Sequence, residues 1–258
     1  MSEKLSASML SELKGKGISY PTYDRSALCP ALVHIGLGHF HRSHFLTYLD
    51  TLLNMGKTNV GVFEVDIPPA NETFIENLRK QDYLYSVLSW GSDGKAEVRV
   101  NGPIMGYANA SKEPQLVLDK LSSKETKLVT LTITEKGYCY LDDEQSLNWD
   151  DENVKKDLEG KDPYPHTAVG YISKALSIRM KEHAPLTIMS CDNIPENGNV
   201  LKRCVLQFCE KKYPEIVSWM EKNVAFPCTM VDRITPGTTP SDTETIERME
   251  GYHDDCPV

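Results

Sequence analysis

The stretch LVHIGLGHFHRSHFLTYLD, residues 32–50, decides how this chain is expected to fold. The apolar run Ala31 to Ile35 is followed at once by Gly36-Leu37-Gly38, and helical leucine spacing then runs from Phe45 to a stop at Gly56. A strand, a glycine turn and a helix in this order form a phosphate-binding element, because the glycines allow close backbone approach and the helix start attracts an anion. A plain strand-to-helix turn, with glycines needed for geometry alone, is the alternative.

The start of this helix departs from the usual dinucleotide fingerprint, because His41 occupies the place of its third glycine or alanine. His39, His41 and His44 crowd the turn, but their spacing is not the i, i+4 pair of a helical zinc site. We therefore predict no metal. Arg42 fits a phosphate better, since a guanidinium makes paired, charge-assisted hydrogen bonds to an anion. A solvated helix residue is the alternative for Arg42.

The composition excludes several classes of protein. The chain has 258 residues, 40% of them hydrophobic and 25% charged, which indicates one large globular domain or two small ones. A net charge of −9 argues against nucleic-acid and membrane partners. The sequence has no apolar run of about 18 residues and no secretory signal. Seven cysteines without a C-x-x-C pair indicate reduced thiols in the cytoplasm.

The rest of the chain predicts an α/β order of elements. Residues 1–27 are expected to form a leading helix and a loose arm, and residues 141–166 a surface loop. Residues 83–90 and 95–100 alternate in polarity around a Gly-Ser-Asp-Gly turn, which predicts a β-hairpin. Further strands are predicted at 59–65, 127–134 and 186–189, with helices at 70–81, 167–180, after Asn197, and after a capping box formed by Ser241 and Glu244.

Polar residues follow three of the predicted strands, where an open α/β sheet binds its ligand. Asp66 ends the second strand, at the place where an acid binds the adenosine ribose hydroxyls of a dinucleotide. A solvated loop acid explains Asp66 equally well.

Four separated segments together resemble the polyol-specific long-chain dehydrogenase/reductase family. They are GLGHFHRSH at 36–44, TLTITEKGY at 130–138, SCDNIPENG at 190–198 and MVDRITPGTTP at 230–240. The resemblance runs from about residue 30 to the last residue, with the segments in the family's order. It implies a doubly wound, mostly parallel Rossmann-like domain over residues 28–258, with the hairpin as an insertion.

The resemblance also implies which residues hold NAD(H). The loop Gly36 to Arg42 would bind the pyrophosphate, through Gly36, Leu37, Gly38, Phe40, His41 and Arg42. The family commonly has an acid for the adenosine ribose where this sequence has Asn71, which leaves NADP open beside NAD; Asp66 could take that place.

For catalysis, the family's S-C-D-N motif places at Asn193 an amide that polarises the substrate oxygen, which an N–H₂ group can do without titrating. Glu135 and Asp232 correspond to acids near the active site. Without the resemblance, helix caps at Asp192 and Asn193 and a structural pair of Asp232 with Arg233 explain these residues as well.

The implied reaction interconverts a hexitol and its 2-ketose, such as mannitol and fructose, and the family also contains fructuronate and tagaturonate reductases. Its lysine base lies in the pattern K-x-x-x-x-N-x-x-H on a C-terminal helical domain, and no lysine in this sequence has that pattern. We therefore expect the cofactor half of such an enzyme, without the base. A dinucleotide-binding module without catalysis and, more remotely, a metal-dependent hydrolase are the alternatives. Oligomeric state is left open, although the family is often monomeric.

Overall fold

A computed structural model describes residues 3–67, 70–231 and 234–258. The strands are β1 Glu3–Lys4, β2 Cys29–Ile35, β3 Val60–Asp66, β4 Tyr85–Trp90, β5 Ala96–Asn101, β6 Ile104–Asn109, β7 Leu128–Leu131, β8 Tyr140–Leu141, β9 Ser146–Leu147, β10 Leu186–Ser190, β11 Val224–Ala225 and β12 Tyr252–His253. The α-helices are α1 His39–Ser43, α2 Phe45–Asn54, α3 Glu72–Lys80, α4 Pro114–Ser122, α5 Thr134–Gly137, α6 Glu152–Glu159, α7 Ala168–Lys181, α8 Asn197–Lys212, α9 Val217–Asn223 and α10 Pro240–Glu250. Short 3₁₀ helices lie at Ala7–Ser11, Arg25–Ala27 and Pro214–Ile216.

The main sheet has six parallel strands in the order β11-β10-β7-β2-β3-β6. Numbered along the chain, this is the Rossmann order 3-2-1-4-5-6, read from β6. The order reverses between β2 and β7, so the ends of these two strands border a crevice at the switch point. The predicted fold class, a doubly wound parallel sheet, is confirmed.

Side-chain alternation along the strands separates two apolar layers. Val33 and Ile35 of β2 pack against α4, α7 and α8, whereas Leu32 packs with Leu46 and Leu53 of α2 on the opposite face. Because successive side chains of a strand point to opposite faces, a central strand buried on both sides must be apolar nearly throughout. His34, fully buried on the α2 face, is the exception in β2.

Several predicted elements are confirmed, including the β4–β5 hairpin around Gly91–Gly94, the helix at 168–181 and the helix from Asn197. The predicted core face of that last helix is buried: Val200, Leu201, Cys204, Val205 and Phe208. The first helix is different, because it breaks at His44, and Leu52 is 45% exposed. The capping box of α10 is Thr239 with Asp242, slightly earlier than the predicted pair of Ser241 and Glu244.

Two peripheral predictions were wrong. The acidic stretch at 141–166 contains α6, which is capped by Asp151 and buries Val154. The first residues are packed rather than loose, since Leu5 and Leu13 are fully buried in a cluster with hairpin residues and Tyr252. Strand β1 pairs with β12, so the two ends of the chain lie side by side.

Candidate functional site

The glycine turn lies between β2 and α1, at the switch point of the sheet. Gly36 has φ +100°, and a Cβ there would clash with the carbonyl oxygen of Thr132, so only glycine fits. Gly38 is different, since its backbone is extended and a Cβ would meet only the Gly36 carbonyl oxygen, at 3.9 Å, among the described residues. The space beside Gly38 is therefore open, as the approach of a pyrophosphate requires.

Three side chains hold this turn in place. The Leu37 amide donates to Asp66 Oδ1 at 3.1 Å, and Tyr107 donates its hydroxyl to Asp66 Oδ2 at 2.9 Å. Thr132 Oγ1 donates to the Gly36 carbonyl at 2.7 Å. Burial raises the pKa of Asp66. Asp66, predicted to bind a ribose, thus contacts the turn directly.

Below the turn lies a buried set formed by His34, His41 and Glu64, each at most 1% exposed. His34 Nε2 lies 2.9 Å from the Gly36 carbonyl, which can only accept, so this nitrogen carries the proton. The rings of His34 and His41 stack with centroids 3.3 Å apart and planes 1° from parallel. His41 Nε2 lies 3.0 Å from Glu64 Oε1.

Among the described residues, these same three side chains place possible ligand atoms close enough together to hold a metal ion. A metal bound by imidazole nitrogen lies in the plane of the ring. Because the rings of His34 and His41 are stacked, with centroids 3.3 Å apart and planes within 1° of parallel, a nearby metal ion cannot lie in both ring planes. The arrangement therefore disfavours a metal held by both rings.

Arg42 does not have the orientation that the sequence predicted. It is 2% exposed, its NH1 group donates to the carbonyls of Cys256 at 2.8 Å and Pro257 at 3.3 Å, and its guanidinium lies 4.6 Å from the Phe74 ring centre. Two carbonyls and an aromatic face partly replace the water that the guanidinium loses on burial. Its Nε is buried and has no hydrogen-bond partner among the described residues.

Two cavities flank the turn and separate the two candidate ribose residues. A cavity of 490 Å³ is lined by Gly36, Asp66, Thr132 and Thr134, among others. A second, of 450 Å³, is lined by Leu37, His39, Arg42 and Asn71, among others. Asn71 caps α3, accepting from the Phe74 amide at 3.2 Å, and its side chain is exposed. Phe40 is half-buried and stacks on His44, with ring centroids 4.8 Å apart.

On the other side of the crevice, Asp192 joins the ends of β7 and β10. Its carboxylate accepts from the amides of Ile133 at 3.1 Å and Thr134 at 2.9 Å, and from the Tyr138 hydroxyl at 2.5 Å. It therefore caps the first turn of α5 rather than the helix that follows it in sequence. Asn197 extends the link, donating to the Asp192 carbonyl at 3.0 Å and to Thr229 Oγ1 at 2.9 Å.

These hydrogen bonds form a bridge by Asp192, which connects the segment that carries Glu135 to the loop that carries Asn193. Both side chains are exposed at the carboxyl ends of neighbouring strands. Asp232 lies outside the described residues. The roles of these three residues therefore stay predictions.

Sequence reasoning missed His34, Glu64 and Asp192 as parts of the site. A signal for the first two was present, because a histidine and a glutamate interrupt otherwise apolar central strands at β2 and β3. Asp192 was expected only as a local helix cap, since its contact with residues 133–138 is set by the neighbouring strand.

Within the described residues, no helix is both long and apolar enough to cross a membrane.

Comparison with known proteins gives consistent matches. A family model described as the mannitol dehydrogenase Rossmann domain matches residues 30–258. The chain is 37% identical to D-mannonate oxidoreductase of Escherichia coli K12 over 248 residues, which are 93% of this chain and 50% of that protein. It is 36% identical to mannitol 2-dehydrogenase of Emericella nidulans over 262 residues, or 100% of this chain and 52% of the relative.

Two solved structures have the same fold. Mannitol 2-dehydrogenase of Pseudomonas fluorescens, in a ternary complex with NAD and D-mannitol, superposes with a TM-score of 0.92 at 34% identity, over 99% of this chain and 52% of that one. A substrate-free D-sorbitol dehydrogenase gives 0.90 at 32% identity, over 98% and 52%. The chain spans about half the length of the curated relatives it matches.

Proposed function

This chain belongs to the mannitol dehydrogenase family, whose Rossmann domain it contains, and we propose that it binds NAD(H) as the cofactor half of a polyol dehydrogenase. The reaction is hydride transfer between NAD(H) and a hexitol or its 2-ketose. The observation that carries the proposal is the glycine turn at the switch point of a 3-2-1-4-5-6 sheet, with open space beside Gly38.

In the proposed complex, the turn and the start of α1 receive the pyrophosphate. The first amides of a helix lack partners within it and favour an anion. The guanidinium of Arg42, which borders the cavity beside the turn, adds positive charge near this place. NAD supplies the hydride acceptor for the alcohol. Asp66 holds the Leu37 amide, so that it positions the turn whether or not it also contacts the ribose.

For the substrate, we propose that Asn193 donates its amide to the reacting oxygen, and that Glu135 and Asp232 lie nearby. The bridge by Asp192 supports the first two of these assignments, since it fixes the two segments that carry them against each other. An amide donor aimed at a developing alkoxide stabilises charge without exchanging a proton. A separate base must then take the hydroxyl proton.

The test is calorimetric titration of this chain with NADH and, separately, NADPH, followed by turnover assays with mannitol, sorbitol and mannonate. Binding of NADH with a dissociation constant below roughly 1 mM, within the usual range for enzymes, supports the proposal. Failure to bind either dinucleotide contradicts it. Binding without turnover of any polyol is the expected result, because the sequence lacks the family's lysine pattern.

We place the protein in the cytoplasm. All seven cysteines have free thiols, four of them half-buried or exposed at the surface. Thiols persist in a reducing compartment. Mass spectrometry of alkylated, unreduced protein from cells tests this placement, and disulfide-linked peptides would contradict it.

A further inference from the structure

The buried set His34, His41 and Glu64 joins the pyrophosphate turn to a carboxyl group in the middle of the sheet. His34 donates to the Gly36 carbonyl, its ring stacks on His41, and His41 contacts Glu64. His34 and Glu64 lie directly opposite each other on paired strands. The three side chains are buried, so a change at Glu64 reaches the turn through packed groups.

The contacts of Glu64 identify its protonation state. Its Oε1 has one partner, His41, whereas its Oε2 has none among the described residues. A buried carboxylate with a bare oxygen costs several kcal/mol, whereas a carboxylic acid that donates Oε1–H to a neutral His41 leaves only a bare carbonyl oxygen. Two cationic rings in face-to-face contact would repel each other, so at most one ring is charged, and burial lowers the pKa of both histidines.

We propose that Glu64 is a positioning residue, held as the uncharged acid, whose ionisation moves the pyrophosphate turn and weakens NAD(H) binding. This inference rests on the proposed function. The new negative charge would lie under a site for an anion, and on the same face of β3 as the carboxyl group of Asp66, two residues on. His41 would have to reverse its tautomer to donate to the carboxylate.

Charged and titratable groups face Glu64 from several packed elements. Asp66 opposes its ionisation, Arg42 favours it, and the hydroxyl of Tyr85 faces it from the hairpin. Burial outweighs these charges and raises the pKa of Glu64 to about 8, while burial lowers that of His34 to about 3 and that of His41 well below its usual value. We therefore assign the loss of a proton near pH 8 to Glu64.

The experiment measures the dissociation constant for NADH between about pH 6.5 and about pH 9.5, at constant ionic strength. Where one bound proton is required, the constant rises up to about tenfold for each pH unit above the pKa. We expect a flat profile below pH about 7 and weakening above about 8. Glu64→Gln keeps the side chain neutral and should flatten the profile, whereas Glu76→Gln, at an exposed acid of α3, should leave it unchanged.

Infrared difference spectra give a second readout that needs no cofactor. The carbonyl stretch of a protonated carboxylic acid should fade as pH rises through about 8 and should be missing from Glu64→Gln. Its presence without NADH binding would leave Glu64 uncharged but refute the proposed function. A flat wild-type binding profile, or a profile unchanged in Glu64→Gln, would overturn the inference. If Glu64→Gln does not fold, the wild-type profile and spectra still decide.

Discussion

Replacing Gly38 by alanine should separate cofactor binding from folding. At this position the backbone is extended, so a side chain brings no strain, and the added methyl group would meet only the Gly36 carbonyl oxygen, at 3.9 Å, among the described residues. Substitutions without such conflicts usually change stability by less than about 0.5 kcal/mol. The methyl group would nevertheless fill the space that the pyrophosphate needs.

The expected loss of affinity corresponds to one hydrogen bond between the turn and the pyrophosphate. Keeping a phosphate oxygen away from the turn removes one charge-assisted hydrogen bond, which contributes about 1.5–3 kcal/mol. The dissociation constant for NADH should therefore rise by roughly 10- to 150-fold in Gly38→Ala. Calorimetric titration with NADH measures this change, and urea denaturation of the same sample measures stability.

Gly36→Ala is the matched control. Its positive φ costs an alanine about 1–3 kcal/mol, and the Cβ would clash with the Thr132 carbonyl. This variant should lose stability and binding together. If Gly38→Ala binds NADH as the wild type does, the pyrophosphate does not lie against Gly38, and the assignment of this turn is refuted.

The remaining predictions concern other parts of the site. Asn71→Asp should increase selectivity for NADH over NADPH by repelling the 2′-phosphate, as measured by the ratio of dissociation constants; if only Asp66→Ala alters cofactor binding, Asp66 holds the ribose instead. Asp192→Ala should destabilise the fold by roughly 3 kcal/mol, because two amides and a hydroxyl lose their acceptor, whereas Asn193→Ala, at an exposed side chain, should cost little; equal urea midpoints would contradict the bridge. Glu64 holds its proton in the folded state between pH 4.5 and about 8, where an unfolded glutamate has lost it, so stability should fall with rising pH over this window, by at most about 1.4 kcal/mol per unit, and Glu64→Gln should remove that slope in urea titrations. A protein of these 258 residues should bind NADH but oxidise no mannitol, because the sequence lacks the family's lysine pattern; steady NADH formation near pH about 9 would show that another group is the base.

The fold was predictable because its signals are local. Residues adjacent in the sequence are enough to recognise the order of strand, glycine turn and helix at 31–54. The same holds for the alternating hairpin at 85–101. Helix α6 was missed since its apolar residues are few, with Val154 as the one hydrophobic side chain it buries. The break at His44 was also missed, because the leucine spacing predicts a helix but does not show that the short helix α1 ends before α2 begins.

The candidate site was less predictable, because its contacts join residues far apart in sequence. Arg42 was expected to face a phosphate, but its acceptors are the carbonyls of Cys256 and Pro257, more than 200 residues later. The contact of His41 with Glu64 likewise joins α1 to β3, 23 residues later in the sequence. Sequence patterns identify which residue types are unusual at a position, and the fold decides their partners.

The pairing of β1 with β12 sets an order of events during synthesis on the ribosome. Leu5, Met9 and Leu13 are buried in a cluster that includes Ile246 and Tyr252, and the Leu5 amide donates to the His253 carbonyl. Leu5 therefore remains uncovered until its partners, some 250 residues later, have been translated, at a rate of about 5–20 residues per second. For this interval, of the order of tens of seconds, the apolar N-terminal side chains are accessible to chaperones.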